Sequence, residues 1–303
     1  MRAFVTGASG FAGRHLVAAC AAAGDEVATA SRATGVELLD PGQARAAVAA
    51  ARPDAVYHLA ARAHVGASWE DPGGVLRDNV TLALNVFEAV RLEAPVATVV
   101  AVGSGEVYGR PERLPLDENA PLRPQNPYAV SKAAADLLAG FYADAHGLRV
   151  VRARAFNHAG PGQDPAYAIA SFARQAAAAA EAGEDPIRFV TGNPDTRRDY
   201  TDVRDVVRAY RLLAERGEPG VFNVCSGRTA SARELLAALA QAVGARLDHR
   251  VDPALVRANE VMEVRGSPAR LRSATGWAPE VPLDSTLADT VAWWRAELRA
   301  GHA

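Results

Sequence analysis

Lysine occurs once in this chain of 303 residues; the rest of its 33 basic residues are arginine. Cysteine and methionine occur twice each, and the net charge is only -2. Each scarcity excludes something. Cys20 and Cys225 lie in apolar contexts, with no disulfide framework and no metal-ligand spacing. They read as buried thiols of a cytoplasmic protein. The charge balance leaves no basic footprint, so nucleic acid is not expected as a partner. No apolar run reaches the length a bilayer span requires, so no membrane association is expected. Met1 leads directly into a short apolar run and a glycine turn, so no signal peptide is expected either. No internal repeat is visible. What is present is ample apolar content, 49 % of residues. The length suits one large α/β unit or two domains.

The single lysine, Lys132, follows Tyr128 by four residues. On a helix that spacing puts both side chains on one face. An ammonium is a compact point charge that fits between a phenol and a ribose, whereas the arginine fork does not. The pair therefore reads as a tyrosine acid/base tuned by lysine; the bland alternative is a solvated helix lysine. Asn126 fits a helix N-cap and Pro127 the first helical position, which sets Tyr128 in the first turn. There the positive helix end and Lys132 are both expected to favour the phenolate.

Around this pair the chain alternates strands and helices. Ala3–Val5 reads as a strand, followed by Gly7-Ala-Ser-Gly10-Phe-Ala-Gly13, a helix from Phe11 and a strand from Glu26 to Ala30. That is a βαβ unit opened by a glycine turn. Gly7 permits the turn, Gly10 lets the backbone approach a pyrophosphate, and Gly13 allows close helix packing. The helix N-terminus offers free N–H groups to phosphate. After the second strand, Ser31-Arg32 stand where an NAD site has an acid. A hydroxyl and a guanidinium suit a 2′-phosphate, so NADP(H) is favoured and NAD(H) stays possible. Val36–Asp40 is expected to form a third strand at the adenine edge, with Glu37 or Asp40 near the base.

The buried runs Ala55–Ala61, Val96–Val102 and Arg149–Ala155 alternate with helices, as in a parallel sheet covered on both faces. His58 inside the first run reads as a core histidine rather than a catalyst. The second run ends in Gly103-Ser104-Gly105-Glu106. Ligands bind beyond the carboxyl ends of parallel strands, so Ser104 can meet a reacting oxygen and Glu106 can serve as a base. Later, Gly192–Tyr200 reads as a polar loop, with Thr201 capping the helix after it. Ser231-Ala-Arg-Glu234 has the capping-box pattern.

Thr6-Gly7-x-x-Gly10-Phe11-x-Gly13, His58-Leu59-Ala60-Ala61, Ser104, Tyr128 and Lys132 resemble the extended short-chain dehydrogenase/reductases that act on nucleotide sugars. The resemblance covers nearly the whole chain. Phe156-Asn157-His158-Ala-Gly160-Pro161-Gly162-Gln163, the run from Arg198 to Val207, Asn223–Gly227 and Thr275-Gly276-Trp277-x-Pro279 look like the GDP-4-keto-6-deoxy-D-mannose reductases of deoxysugar biosynthesis. The resemblance implies a Rossmann-type doubly wound parallel sheet, residues 1–157 with about 199–226, that holds the cofactor. A smaller C-terminal α/β domain, about 158–198 and 227–303, would grip a nucleotide-diphosphate sugar. Along the cofactor it implies Thr6, Gly7, Ser9, Gly10, Phe11, Gly13, Ser31, Arg32, Glu37, Leu38, Leu59, Ala60, Ala61, Tyr128 and Lys132. Ser104, Glu106, Asn157, Arg198, Arg257 and Glu260 would meet the substrate, Arg198 at its phosphates. Relatives have a proline between the last two, which this chain lacks.

The activity implied is reduction of the C4 ketone of a nucleotide-linked 4-keto-6-deoxy sugar by a homodimer paired through helices 74–93 and 128–146. Tyr128 gives the proton, Ser104 orients the oxygen, and Lys132 holds the nicotinamide ribose and lowers the tyrosine pKa. The rivals are a 4-epimerase that retains NAD, a 4,6-dehydratase using Glu106 at C5, and a non-catalytic dinucleotide-binding regulator.

Overall fold

The computed structural model describes residues 1–256 and 260–301. Its strands are β1 (Arg2–Thr6), β2 (Glu26–Ala30), β3 (Ala55–His58), β4 (Thr98–Ser104), β5 (Arg149–Ala155), β6 (Asn157–Ala159), β7 (Ile187–Thr191), β8 (Arg197–Asp202), β9 (Gly220–Val224), β10 (Thr229–Ser231), β11 (Leu247–Val251) and β12 (Glu263–Val264). Its α-helices are α1 (Phe11–Ala22), α2 (Pro41–Ala51), α3 (Pro72–Glu93), α4 (Pro127–His146), α5 (Ala168–Glu181), α6 (Val203–Arg216), α7 (Ala232–Ala242), α8 (Ala269–Thr275) and α9 (Leu283–Arg299).

Continuous apolar runs need cover on both faces, and they receive it. Six parallel strands form one sheet in the order β2-β1-β3-β4-β5-β9. On one face Leu16 and Cys20 of α1 pack with Val206, Tyr210 and Leu213 of α6 against Val5, Val100 and Val151. On the other, Val48, Val86, Phe87 and Tyr142 from α2, α3 and α4 pack against Phe4, Val56 and Val150. The order reverses beside β1, and that reversal opens a crevice at the carboxyl ends of the strands.

Most of the rest of the chain forms a smaller unit, while α8 packs back on the large sheet through Leu271. In the smaller unit α5, α7 and α9 share a core with β7 through Ala173, Leu236, Phe189 and Trp294. β8 pairs with β6, β10 and β12, and β7 with β11. The run Arg197–Asp202 is thus a strand, not the expected loop. Thr201 lies within it, and the cap of α6 is Asp202, whose side chain accepts from the Arg204 N–H.

The carboxylates of this stretch stitch the C-terminal segment down. Asp199 accepts from Ser226 N and Oγ, Gly227 N and Gly266 N. Asp202 accepts from Thr286 Oγ1, and Asp205 from the N–H groups of Glu280 and Val281. All three are buried, where a carboxylate needs such partners.

One expected strand is absent. Val36–Asp40 forms no strand, because Ser31 caps a short 3-10 turn, Arg32–Thr34, that bends the chain off the sheet edge. Cys20 and Cys225 are free and buried.

Candidate active site

Three glycines shape the first turn. Gly7 has φ +70°, and a Cβ there would lie 2.7 Å from the Ala60 nitrogen. A Cβ on Gly13 would lie 2.2 Å from the Gly7 oxygen, so α1 can approach the turn only without one. Gly10 precedes α1 in extended conformation and offers no side-chain cap. The first N–H groups of α1 therefore face outward for an anion. Thr6 lies beneath this turn rather than along it. Its Oγ1 accepts from Ala60 N at 3.2 Å and pairs with His58 Nδ1 at 2.9 Å. His58 is the buried core histidine expected; burial, with Lys132 nearby, lowers its pKa to about 3 and keeps it neutral.

From this turn a cavity of about 980 Å³ follows the strand ends. Gly7, Ser9, Gly10, Phe11 and Gly13 line its middle, beside Leu59, Ala60 and Ala61. Ser31, Arg32, Glu37 and Leu38 line one end; Ser104, Glu106, Tyr128, Lys132 and Asn157 line the other. Thr6, Arg198 and Glu260 are not in the lining. Arg198 sits on β8, where Nη1 donates to the Arg197 carbonyl at 2.8 Å, and Arg257 lies outside the described residues. The glycine cradle, which side chains would fill, fits a dinucleotide pyrophosphate.

Ser104 closes β4, and its Oγ accepts from Glu106 N at 3.2 Å. Asn126 caps α4 by accepting from Ala129 N at 2.7 Å, and Pro127 takes the first helical position, as expected. The Asn126 amide also donates to Glu106 Oε2 at 3.1 Å, which joins the cap to the carboxylate at the cavity wall. Lys132 is buried and donates to the Val102 carbonyl at 2.5 Å. One turn on, Asp136 binds Arg154 through two bonds, of 3.1 and 2.8 Å. Arg154 continues to the Tyr108 hydroxyl, and Tyr108 donates to Asn223 on β9. This buried chain fixes α4 against β5 and thus the height of Tyr128 and Lys132.

The electrostatics differ from expectation. Burial pushes the Tyr128 phenol up; Ser104 pulls it back, and Tyr167 and Glu106 push it further up. Burial lowers Lys132 to about 8, and the Asp136 charge opposes that. Tyr128 therefore holds its proton instead of tending to phenolate, because desolvation outweighs the helix end and the lysine.

Ser31 lines the cavity, and its hydroxyl also accepts from Thr34 N at 3.3 Å and so caps the turn at that wall. Sequence reasoning missed Tyr167, which lines the cavity from the smaller unit. Its ring meets His64 edge-on at 5.9 Å, and its hydroxyl donates to the Ala63 carbonyl at 3.4 Å. No local pattern marks it; only the tertiary fold brings it to a loop 104 residues away.

Comparison with known proteins places this geometry. A family model described as GDP-mannose 4,6 dehydratase matches residues 31–290. A GDP-6-deoxy-D-mannose reductase from Pseudomonas aeruginosa is 40% identical over 301 residues, covering 98% of each chain. A UDP-glucose 4-epimerase from Mycolicibacterium smegmatis is 32% identical, covering 97% of this chain and 99% of its own. The solved structure of RMD from Pseudomonas aeruginosa complexed with NADPH superposes with a TM-score of 0.90 at 38% identity, over 98% of this chain and all of that one. A Thermus thermophilus UDP-glucose 4-epimerase in complex with NAD gives 0.85 at 34% identity, over 97% and 99%.

Proposed function

The chain belongs to the GDP-mannose 4,6-dehydratase family, and we propose that it is an NADPH-dependent reductase of a GDP-linked 4-keto-6-deoxy sugar. The observation that carries this reading is a half-buried, proton-bearing Tyr128 beside Ser104, at the end of a cavity built for a dinucleotide. Reducing a ketone takes a hydride, which the reduced nicotinamide supplies when bound, and a proton, which the protein supplies. Tyr128 gives that proton to the developing alkoxide as a general acid. Ser104 holds the same oxygen, and the Lys132 ammonium steadies the nicotinamide ribose and the developing charge. Gly7, Gly10 and Gly13 receive the pyrophosphate. Asn157 and Glu106 line the sugar side, and Arg198 with Glu260 belongs to the neighbouring nucleotide-diphosphate region. Full-length similarity to a GDP-6-deoxy-D-mannose reductase supports the guanine nucleotide.

The six-stranded sheet and its helices form the cofactor part in this reading, residues 1–157 and about 203–226. The expected boundary is about 199; the pairing of β8 with the small strands favours a later one, after Asp202, and α8 joins the cofactor part through Leu271. The smaller unit takes the nucleotide sugar. A homodimer is part of the reading: Leu76, Leu84 and Leu92 on α3 and Val130, Leu137 and Phe141 on α4 stay exposed, an apolar face that suits a second copy. Two free buried thiols support a cytoplasmic location.

The 4-epimerase relatives keep a second reading in play, and one assay separates the two. Purified protein is mixed with GDP-4-keto-6-deoxymannose and NADPH. Loss of nicotinamide absorbance equal to the sugar added supports the reductase. No NADPH consumption there, with NAD⁺ co-purifying and interconversion of 4-epimers in a parallel incubation given a nucleotide hexose, would sink it in favour of the epimerase.

A further inference from the structure

Thr6, His58, Ala101 and Arg152 pair across the large sheet and form one row on the face that α3 and α4 cover. Paired positions of neighbouring strands point the same way. Three members of the row are polar and the fourth is small. Ala101 therefore leaves a space between His58 and Arg152, which Lys132 and Asp136 of α4 and Asn79 of α3 also line. The space is a cavity of about 20 Å³. One water needs about 10–15 Å³ and two to four polar partners.

The polar groups at this wall have donors to spare. His58 Nδ1 pairs with Thr6 Oγ1 at 2.9 Å, and Thr6 Oγ1 already accepts from Ala60 N. The Thr6 hydroxyl hydrogen has no other acceptor among the described residues, so it goes to Nδ1. The neutral ring then carries its proton on Nε2, buried at the cavity wall and without a partner among the described residues. Lys132 has three N–H donors, and the Val102 carbonyl takes one of them. Lys132 lines this cavity as well as the larger one, so its side chain stands between the two.

We infer that the small cavity is a binding site for one water molecule, which accepts from His58 Nε2 and the Lys132 ammonium and donates to the Asp136 carboxylate. This deepens the role of Lys132 in the proposed reaction, because the water holds the ammonium from the interface of sheet and helices, outside the dinucleotide cavity. The charged and titratable groups around the site are His58 from β3, Arg152 from β5, and Lys132 and Asp136 from α4; the lining residues of α3 and β4 add none. Burial favours the free amine, and an acceptor for the charged form opposes it. An ammonium deprived of the water gives up its proton at lower pH.

Lys132 is the only lysine, so protein grown with isotope-labelled lysine gives a single ε-carbon signal by NMR, and its titration reads this ammonium alone. Ala101→Val fills the cavity with methyl groups, and Ala101→Ser puts a hydroxyl in the place of the water. Valine should lower the Lys132 midpoint by about one pH unit, the scale of one hydrogen bond to a charged group. Serine gives the same donors an acceptor and should leave the midpoint near that of the wild type. Equal shifts in both variants, or a shift in neither, would overturn the inference. So would a midpoint that follows chloride concentration, which would assign the site to an anion. A crystal structure of the wild type decides independently of either variant: density for one water within hydrogen-bond distance of His58 and Lys132 is expected, and a dry cavity would overturn the inference. No nucleotide is present in any arm, so these outcomes leave the dinucleotide and reductase readings standing.

Discussion

Asp136→Asn should damage the protein in two ways that can be measured apart. Asp136 and Arg154 are buried, joined by bonds of 3.1 and 2.8 Å, with Arg152 3.4 Å away. Asparagine leaves the Arg154 cation without its counter-ion in a dry site. Breaking a buried pair from one side costs about 3–5 kcal/mol, against a typical total stability of about 5–15. The urea midpoint should fall accordingly, with the slope unchanged. The second effect is on Lys132. Its pKa is held up at about 8 by the Asp136 charge, one helical turn away, against the burial that lowers it. Removing the charge lowers the pKa further, so Lys132 loses its proton at lower pH. In kcat/KM for NADPH, which reports ionisations of the free enzyme, the alkaline limb should shift toward acid. A stability loss below about 1 kcal/mol would refute the buried-pair argument. An unmoved limb, in a variant shown to be folded, would refute the link to Lys132.

Three further outcomes follow from the same geometry. The wild-type profile of kcat/KM for NADPH should be flat on the acid side and fall as pH rises through about 8, since the lowered Lys132 pKa loses the ammonium there; a profile level to pH 10 would contradict the need for that charge. Tyr128→Phe should reduce kcat by about 100-fold or more, the usual scale of a general acid, while calorimetry still detects nucleotide-sugar binding; turnover within a few-fold of wild type would remove Tyr128 from the role. Leu137→Asp with Phe141→Asp puts two charges on the apolar face of α4, and sedimentation should then show a monomer that keeps its helical content; an unchanged mass would place the subunit contact elsewhere.

The local structure at the Tyr128 end of the cavity was legible because its signals are local. A helix cap, a first-turn proline and a four-residue spacing all act within one turn of α4, and the glycine turn acts between one strand and one helix. The same locality explains the failures. Val36–Asp40 alternates like a strand, but the Ser31 cap turns the chain away before it can pair. Arg198 is followed by Asp199, Asp202 and Asp205, whose long-range partners lie 27 to 84 residues away, so that motif is mostly a fastening of the C-terminal segment. The Tyr128 pKa was misjudged because charges are visible in a sequence and desolvation is not. Tyr167 carries no pattern at all until the two units are folded together.

The most direct measurement uses NADPH deuterated at the transferred position of the nicotinamide, with GDP-4-keto-6-deoxymannose. A reductase that protonates the oxygen from Tyr128 leaves one deuterium on C4 of the 6-deoxyhexose, and one oxidised nicotinamide for each sugar. Sugar converted without deuterium at C4, or deuterium retained in the nucleotide with the ketone unreduced, would contradict the account.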